Sequence, residues 1–355
     1  MFSPDPGLTY LDTATYGLPP EPTIRVLREA LDTWQAGTAG WIEWDRQSER
    51  ARGAFARLIG ARASNVALMP SVSVGMGMVA SALEPGDRVV VPAAEFRSVL
   101  YPLLVAQKRG VDIVEVDGLD RLVDAITPGT KLVAVSLVQM QTGQVLPIRE
   151  IVERAEAVGA QVLLDATHGV PFVVLDDVID RLDYVLVHGY KHLLCPRGVA
   201  FLVVREDHIG SLPPTVASWR SSDAPYTSFF GGPLILAEGA ARFDASLAWH
   251  PWVGAAESLE LLVEWQAAGA LEAPIELARD LAGKLGIEWG GGTLVCPPID
   301  DAERVRAVLG EQRIKAAFRG TAIRFSTHVY NDTADIERAA SAIGPLVAQP
   351  VATPR

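Results

Sequence analysis

The sequence predicts an α/β protein, with a mostly parallel central sheet in a large domain and a smaller C-terminal α/β domain. Three observations predict it. The chain has 355 residues, 49% of them hydrophobic, which is enough for one large domain plus a small one with a sizeable core. After Asn65, short apolar runs alternate with helical patterns. Continuous apolar strands between helices imply a largely parallel sheet covered on both faces. The last hundred or so residues carry strands and helices of their own, beyond a long helical stretch that can link two domains.

In chain order, residues 1–20 are rich in Pro and Gly and predict an extended arm ending at a turn. A helix is expected over Glu21 to Gln35, broken by Gly37 to Gly40. A second runs over Trp41 to Ile59, where Trp41, Trp44, Ala51, Phe55 and Leu58 share a face. Strands are expected at Val66–Met69, Arg88–Val91, Asp112–Val116, Leu132–Val138, Gln161–Leu164, Tyr184–Val187 and Val199–Val204. Helices Val74–Ala82, Ser98–Gln107 and Ile148–Val158 lie between several of them. Residues Ser211 to Gly232 look irregular, and long loops are often functional. Leu234 to Ala268 reads as helical, broken near His250-Pro251. The tail predicts strands near Thr293–Cys296 and Ala322–Ser326, and helices near Ala302–Leu309 and Thr333–Ile343. The expected division is 15–245 for the large domain, and 1–14 with 246–355 for the small one.

Composition narrows the function. A net charge of −12 argues against a general nucleic-acid surface, which needs clustered Lys and Arg. No apolar run approaches the roughly 20 residues that span a bilayer. Met1-Phe2-Ser3-Pro4-Asp5 has no basic segment followed by an apolar one, so a cytoplasmic location is expected, with no nucleic-acid or membrane partner. Cys195 and Cys296 give neither a disulfide framework nor metal-ligand spacing, and no metal is expected. The sequon Asn331-Asp332-Thr333 is read as chance.

The polar clusters fall where strands end, the place where open α/β sheets bind ligands. Lys191 follows the run Tyr184-Val185-Leu186-Val187 within His188-Gly189-Tyr190-Lys191-His192. A long amine placed there can point into a crevice, and a Schiff base with pyridoxal phosphate (PLP) would use it. Desolvation would lower its pKa into a useful range. Asp165 ends the preceding strand, 26 residues earlier, one strand–helix–strand unit away. A buried carboxylate needs a partner, and a pyridinium nitrogen would serve, although a capping Asp reads the same way. Ser71-Val72-Ser73-Val74-Gly75 follows a strand and opens a helix, which suits a phosphate or an ordinary Ser N-cap. Phe96, past the Val89–Pro92 strand, can stack on a planar ring or belong to the core. Arg324, on an apolar strand, suits a carboxylate clamp or an internal salt bridge.

Together, Asp165-Ala166-Thr167-His168, His188-Gly189-Tyr190-Lys191 and Arg324-Phe325-Ser326-Thr327-His328-Val329-Tyr330-Asn331 resemble the ordered signatures of class V aminotransferase-like enzymes. These are PLP-dependent enzymes of fold type I, among them cysteine desulfurases, kynureninases, isopenicillin N epimerase-like proteins and some C–S lyases. The resemblance implies that Lys191 holds the cofactor, Asp165 pairs with the ring nitrogen and His168 lies near the phenolic oxygen. Phe96 would stack on the ring where many relatives use His, and Gln139 would line its edge. Ser71, Val72, Ser73 and His188, helped by Tyr190, would hold the phosphate. Arg324 would bind the substrate α-carboxylate. A homodimer is implied, with Phe230, Gly231 and Gly232 reaching the partner's phosphate site. Tyr16, Trp219, Tyr226, Trp249 and His250 could shape the substrate pocket, or simply pack.

The implied activity is chemistry at Cα of an α-amino acid or amino-acid conjugate, foremost of the aminotransferase type. The alternatives are C–S (β-elimination) lyase chemistry or a related oxidative deamination on an S-cysteinyl conjugate in natural-product biosynthesis, epimerisation, or a non-catalytic relative. Desulfurases carry a nucleophilic Cys shortly before the Arg-bearing strand, whereas this chain has Lys315-Ala316-Ala317-Phe318-Arg319-Gly320-Thr321 there. A persulfide relay is therefore not expected.

Overall fold

The computed structural model describes residues 1–348. The chain begins with β1 (Thr9–Tyr10), α1 (Glu21–Gln35), α2 (Trp41–Ile59) and β2 (Val66–Met69). It continues through α3 (Val72–Ser81), β3 (Arg88–Pro92), α4 (Arg97–Gln107), β4 (Asp112–Val116), α5 (Leu122–Ala125), β5 (Thr130–Ser136) and α6 (Ile148–Val158). Then come β6 (Gln161–Asp165), β7 (Tyr184–His188), β8 (Ala200–Val204), α7 (Glu206–Ile209), α8 (Trp249–Ala267) and α9 (Glu272–Lys284). The chain closes with β9 (Leu294–Val295), α10 (Ala302–Glu311), β10 (Ile314–Lys315), β11 (Ala317–Arg319), β12 (Ala322–Ser326) and α11 (Thr333–Ile343).

The seven-stranded central sheet has the order β2-β8-β7-β6-β5-β3-β4. Strands β3 to β7 run parallel, and β8 runs antiparallel to both β7 and β2. Successive strand residues serve opposite faces, as the pleat requires. Leu164, Val185 and Phe201 join a core with α2, α6 and α8, while Leu163, Leu186 and Leu202 join one with α3 and α4. Phe55 of α2 stacks on Phe201 at 4.0 Å between centroids, and Trp252 of α8 meets the same ring edge-on at 5.5 Å. A third core joins Leu11 to Leu281, Ile323, Phe325 and Ile336 of the tail.

The chain leaves β3 for the edge strand β4 and returns on the other side as β5. The strand order therefore reverses between β3 and β5, and a crevice opens at their carboxyl ends. Local signals place the helices. Ser71 caps α3 by accepting the Val74 N–H, while Gly60 and Gly159 end α2 and α6 at φ 72° and 74°, where a Cβ would be strained.

Three expectations need correction. Residues 234–248 form no α-helix, only a 3₁₀ turn at Ala240–Phe243, and Pro251 sits in the first turn of α8 rather than breaking it. A missing N–H costs nothing in that turn, where no intrahelical acceptor exists. The crossover from β6 to β7 carries only a 3₁₀ turn at Ile179–Arg181 in place of the expected helix. Helix α9 had no expectation; its Pro274 likewise occupies the first turn.

Candidate active site

A cavity of ≈ 170 Å³ lies at the crevice, walled by the ends of β3, β5, β6 and β7 and by the start of α3. Register places its acid and its amine. Asp165 ends β6 opposite Leu186 of β7, and the chain turns at His188 so that Lys191 reaches back toward it. Lys191 is 7% exposed and Asp165 5%. The Lys191 Nζ lies 3.0 Å from His168 Nε2 and 5.4 Å from the centre of the Phe96 ring.

Burial dominates the electrostatics. It pushes the Lys191 amine down to about 7, opposed by the charge of Asp165 and reinforced by Arg324, Arg319 and Arg197. Burial raises the Asp165 carboxyl above its usual range, against the pull of the Thr167 N–H at 2.9 Å and of Lys191. It holds His168 well below its usual value, with Lys191 and Arg324 adding to the effect, so the imidazole is neutral. Nδ1 of His168 is buried with no partner. His188 is pushed down to about 4 by burial, so its ring is neutral at physiological pH. Its Nδ1 donates to the Val199 carbonyl at 3.1 Å, and its backbone N–H donates to Thr167 Oγ1 at 2.9 Å.

The cavity brings together Ser71, Val72, Ser73, Phe96, Gln139, Asp165, His168, His188, Tyr190 and Lys191, all singled out from sequence. Ser71 and Ser73 hydroxyls lie 3.0 Å apart at the start of α3. Tyr16 lies beside the cavity, its ring 5.7 Å from Tyr190. Arg324 is 1% exposed, and its Nη2 donates to Thr15 Oγ1 at 2.9 Å.

Several predicted contributors are not among the residues lining this cavity: Arg324 and Tyr16, and further off Trp219, Tyr226, Trp249, His250, Phe230, Gly231 and Gly232. Trp219 and Tyr226 pack into an aromatic cluster with Trp41, Phe229 and Trp249. The Tyr226 hydroxyl donates to Asp45 at 2.8 Å, and Trp249 Nε1 donates to it at 3.3 Å. Gly231 and Gly232 line a separate hollow with Trp219, beside the 95%-exposed Phe230.

Sequence reasoning passed over Glu95, Ser136, Thr167 and Arg197, which also line the cavity. Glu95 accepts from the Ser136 N–H at 2.8 Å and from the Phe96 N–H at 2.6 Å, fixing the loop that carries Phe96. Its position before Phe96 was the available signal. Nothing local marks Ser136, which becomes polar lining only because β5 lies between β3 and β6.

The arrangement suits a planar, anionic aldehyde cofactor. It offers an amine that is partly neutral at pH 7 and a buried carboxylate with no ion-pair partner among the described residues. It also has an unpartnered imidazole nitrogen, an aromatic face and a hydroxyl-rich helix start. The family model described as Aminotransferase class-V matches residues 9–287. The chain belongs to the class-V aminotransferase family. Its cofactor is accordingly PLP.

The chain is 32% identical over 226 residues to a probable cysteine desulfurase of Aeropyrum pernix, covering 59% of this chain and 55% of that protein. It thus spans about half the length of that relative. It is 26% identical to the uncharacterized aminotransferase YcbU of Bacillus subtilis, covering 90% of this chain and 89% of that one. The fold matches the cystine C-S lyase C-DES at a TM-score of 0.85 and 20% identity, over 96% of this chain and 98% of that one. Another structure of C-DES carries glycine covalently linked to its PLP cofactor. This confirms fold type I, with its mostly parallel central sheet.

Proposed function

We propose that the protein is a PLP-dependent enzyme acting at Cα of an α-amino acid or amino-acid conjugate, by aminotransferase-type chemistry. One observation carries the reading: a buried lysine, drawn down to about 7, shares a cavity with a buried carboxylate one strand away that forms no salt bridge among the described residues. Lys191 is the residue that holds the cofactor and then moves the Cα proton. Bound PLP supplies an electron sink for negative charge developing at Cα. Asp165 would pair with the ring nitrogen and favour its protonated form, His168 would lie near the phenolic oxygen, and Phe96 would stack on the ring with Gln139 along its edge; all four line the cavity. Ser71, Val72, Ser73, His188 and Tyr190 hold the phosphate at the start of α3, where free N–H groups favour an anion. Arg324 takes the α-carboxylate. In a homodimer, Gly231 and Gly232 serve the second subunit's phosphate site, and the exposed Phe230 seats against that subunit.

A second reading is C–S bond cleavage, supported by the 32% identity to the probable cysteine desulfurase. A persulfide relay does not fit. Burial pushes the Cys296 thiol up to about 12 and raises Cys195 further, so neither supplies a thiolate at neutral pH. Incubating the holoenzyme with amino acids and S-substituted cysteines separates the readings. A keto acid with conversion to the pyridoxamine absorbance marks transamination. Pyruvate, ammonia and free thiol mark lyase chemistry. A purified protein that takes up no PLP would sink both.

A further inference from the structure

The β11–β12 hairpin holds a feature that the proposed function leaves unused. Its register pairs Ala317 with Arg324 and Arg319 with Ala322. Cross-strand partners share a face, so Arg319 and Arg324 lie diagonally on one side of the ribbon, within reach of each other's long side chains. Both reach the same atom. Arg324 Nη2 donates to Thr15 Oγ1 at 2.9 Å, and Arg319 Nη2 donates to it at 3.3 Å. Arg319 is further held by Nη1 donating to the Phe318 carbonyl at 2.8 Å. Two like charges converging on a neutral hydroxyl repel one another, and among the described residues neither guanidinium has a carboxylate partner. Arg324 Nε is buried with no acceptor at all. Asp12, the acid whose charge reaches both, is raised in pKa by burial, which weakens it as a counter-ion.

Thr15 Oγ1 accepts from both arginines, and its own hydroxyl hydrogen-bonds Asp12, so Thr15 ties the pair of guanidiniums to the N-terminal arm. The Thr15 arm abuts the reactive lysine: the Gly17 N–H donates to the Tyr190 carbonyl at 3.0 Å, and a Cβ on Gly17 would overlap the Lys191 carbonyl oxygen.

We infer that Arg319 joins Arg324 in a two-guanidinium clamp for one substrate carboxylate, with Thr15 positioning both and Arg319 closing the clamp from the solvent side. The inference rests on the proposed amino-acid chemistry at Lys191. Its geometry favours one shared carboxylate, because both guanidiniums already converge on a single oxygen. Arg319 is half-buried, so its removal spares the core.

The test uses purified holoenzyme, its Arg319→Gln, Thr15→Val and Thr15→Ser variants, and two probes, L-alanine and L-alaninamide. Alanine has no β leaving group, so lyase turnover does not interfere. Binding is measured by calorimetry while cofactor absorbance is followed in the same sample. The R319Q and T15V proteins should bind L-alanine about tenfold or more weakly, and the amide within about twofold of the parent. T15S should restore L-alanine binding. Unchanged L-alanine affinity in R319Q, or equal loss for both probes, would overturn the clamp. Failure of the Lys191 reading appears separately, as a protein without cofactor absorbance, and the calorimetric comparison of acid and amide still decides the clamp.

Discussion

Replacing Lys191 by Met should make the cofactor-free protein more stable at neutral pH, and the size of the effect follows from burial. The amine is driven from 10.5 to about 7, chiefly by desolvation. At roughly 1.4 kcal/mol per pKa unit, that drop is on the order of 5 kcal/mol. The sign follows from proton binding. Between about pH 7 and 10.5 the unfolded chain holds a proton that the folded lysine has lost, so stability rises with pH across that window. Near pH 7 almost none of that gain has accrued, and the native protein carries most of the penalty. Met fills the same volume without charge and removes both the penalty and the pH slope. Asp165 then loses its neighbouring cation, which offsets part of the gain, leaving about 2–4 kcal/mol. Urea unfolding of both apoproteins from pH 7 to 10 measures it. Parallel pH dependences, or a Met variant less stable at pH 7, would refute the account of Lys191 as a strained, desolvated amine.

Three further expectations follow from other parts of the molecule. Asp165→Asn should retain the cofactor, read by its absorbance, while slowing turnover roughly 100-fold, because a neutral amide no longer stabilises the ring-nitrogen charge. Arg220→Leu removes the partner of Asp45, Glu49 and Asp244 and the bond to Ser48 at 2.7 Å, stranding buried charge; it should cost about 3–5 kcal/mol, seen as a lower urea midpoint. Cys296→Ser should leave steady-state turnover within about twofold of the parent, since a thiol pushed up to about 12 supplies no nucleophile at neutral pH.

The fold was legible wherever periodicity was strong and locally punctuated. The expected helices Glu21–Gln35 and Trp41–Ile59 have the observed ends, because Pro at the start of the first and Gly just past the second are local backbone signals. Strands Val66–Met69 and Asp112–Val116 also match residue for residue. Residues 234–248 misled because apolar content alone does not distinguish a helix from a loop packed on β2. Ala245 instead donates its N–H to the Leu68 carbonyl, and Asp244 accepts from the Leu68 N–H at 2.8 Å.

The same division runs through the candidate site. Sequence alone determined the family, the cofactor and the polar residues at the strand ends, because a strand followed by a polar turn is a local pattern. Lys191, Asp165, Ser71 and Phe96 are all legible that way. Only the tertiary structure decided which of those residues meet. The reversal of strand order between β3 and β5 gathers Glu95, Ser136 and Asp165 around one cavity, and no short stretch of chain encodes that adjacency. Packing also drew Trp219 and Tyr226 away, since the buried Asp45 demands the hydrogen bonds that Tyr226 and Trp249 supply. The convergence of Arg319 and Arg324 on Thr15 joins residues some three hundred positions apart. It depends on the register of a short hairpin and on an N-terminal arm laid across it, both set by long-range contacts rather than by sequence pattern.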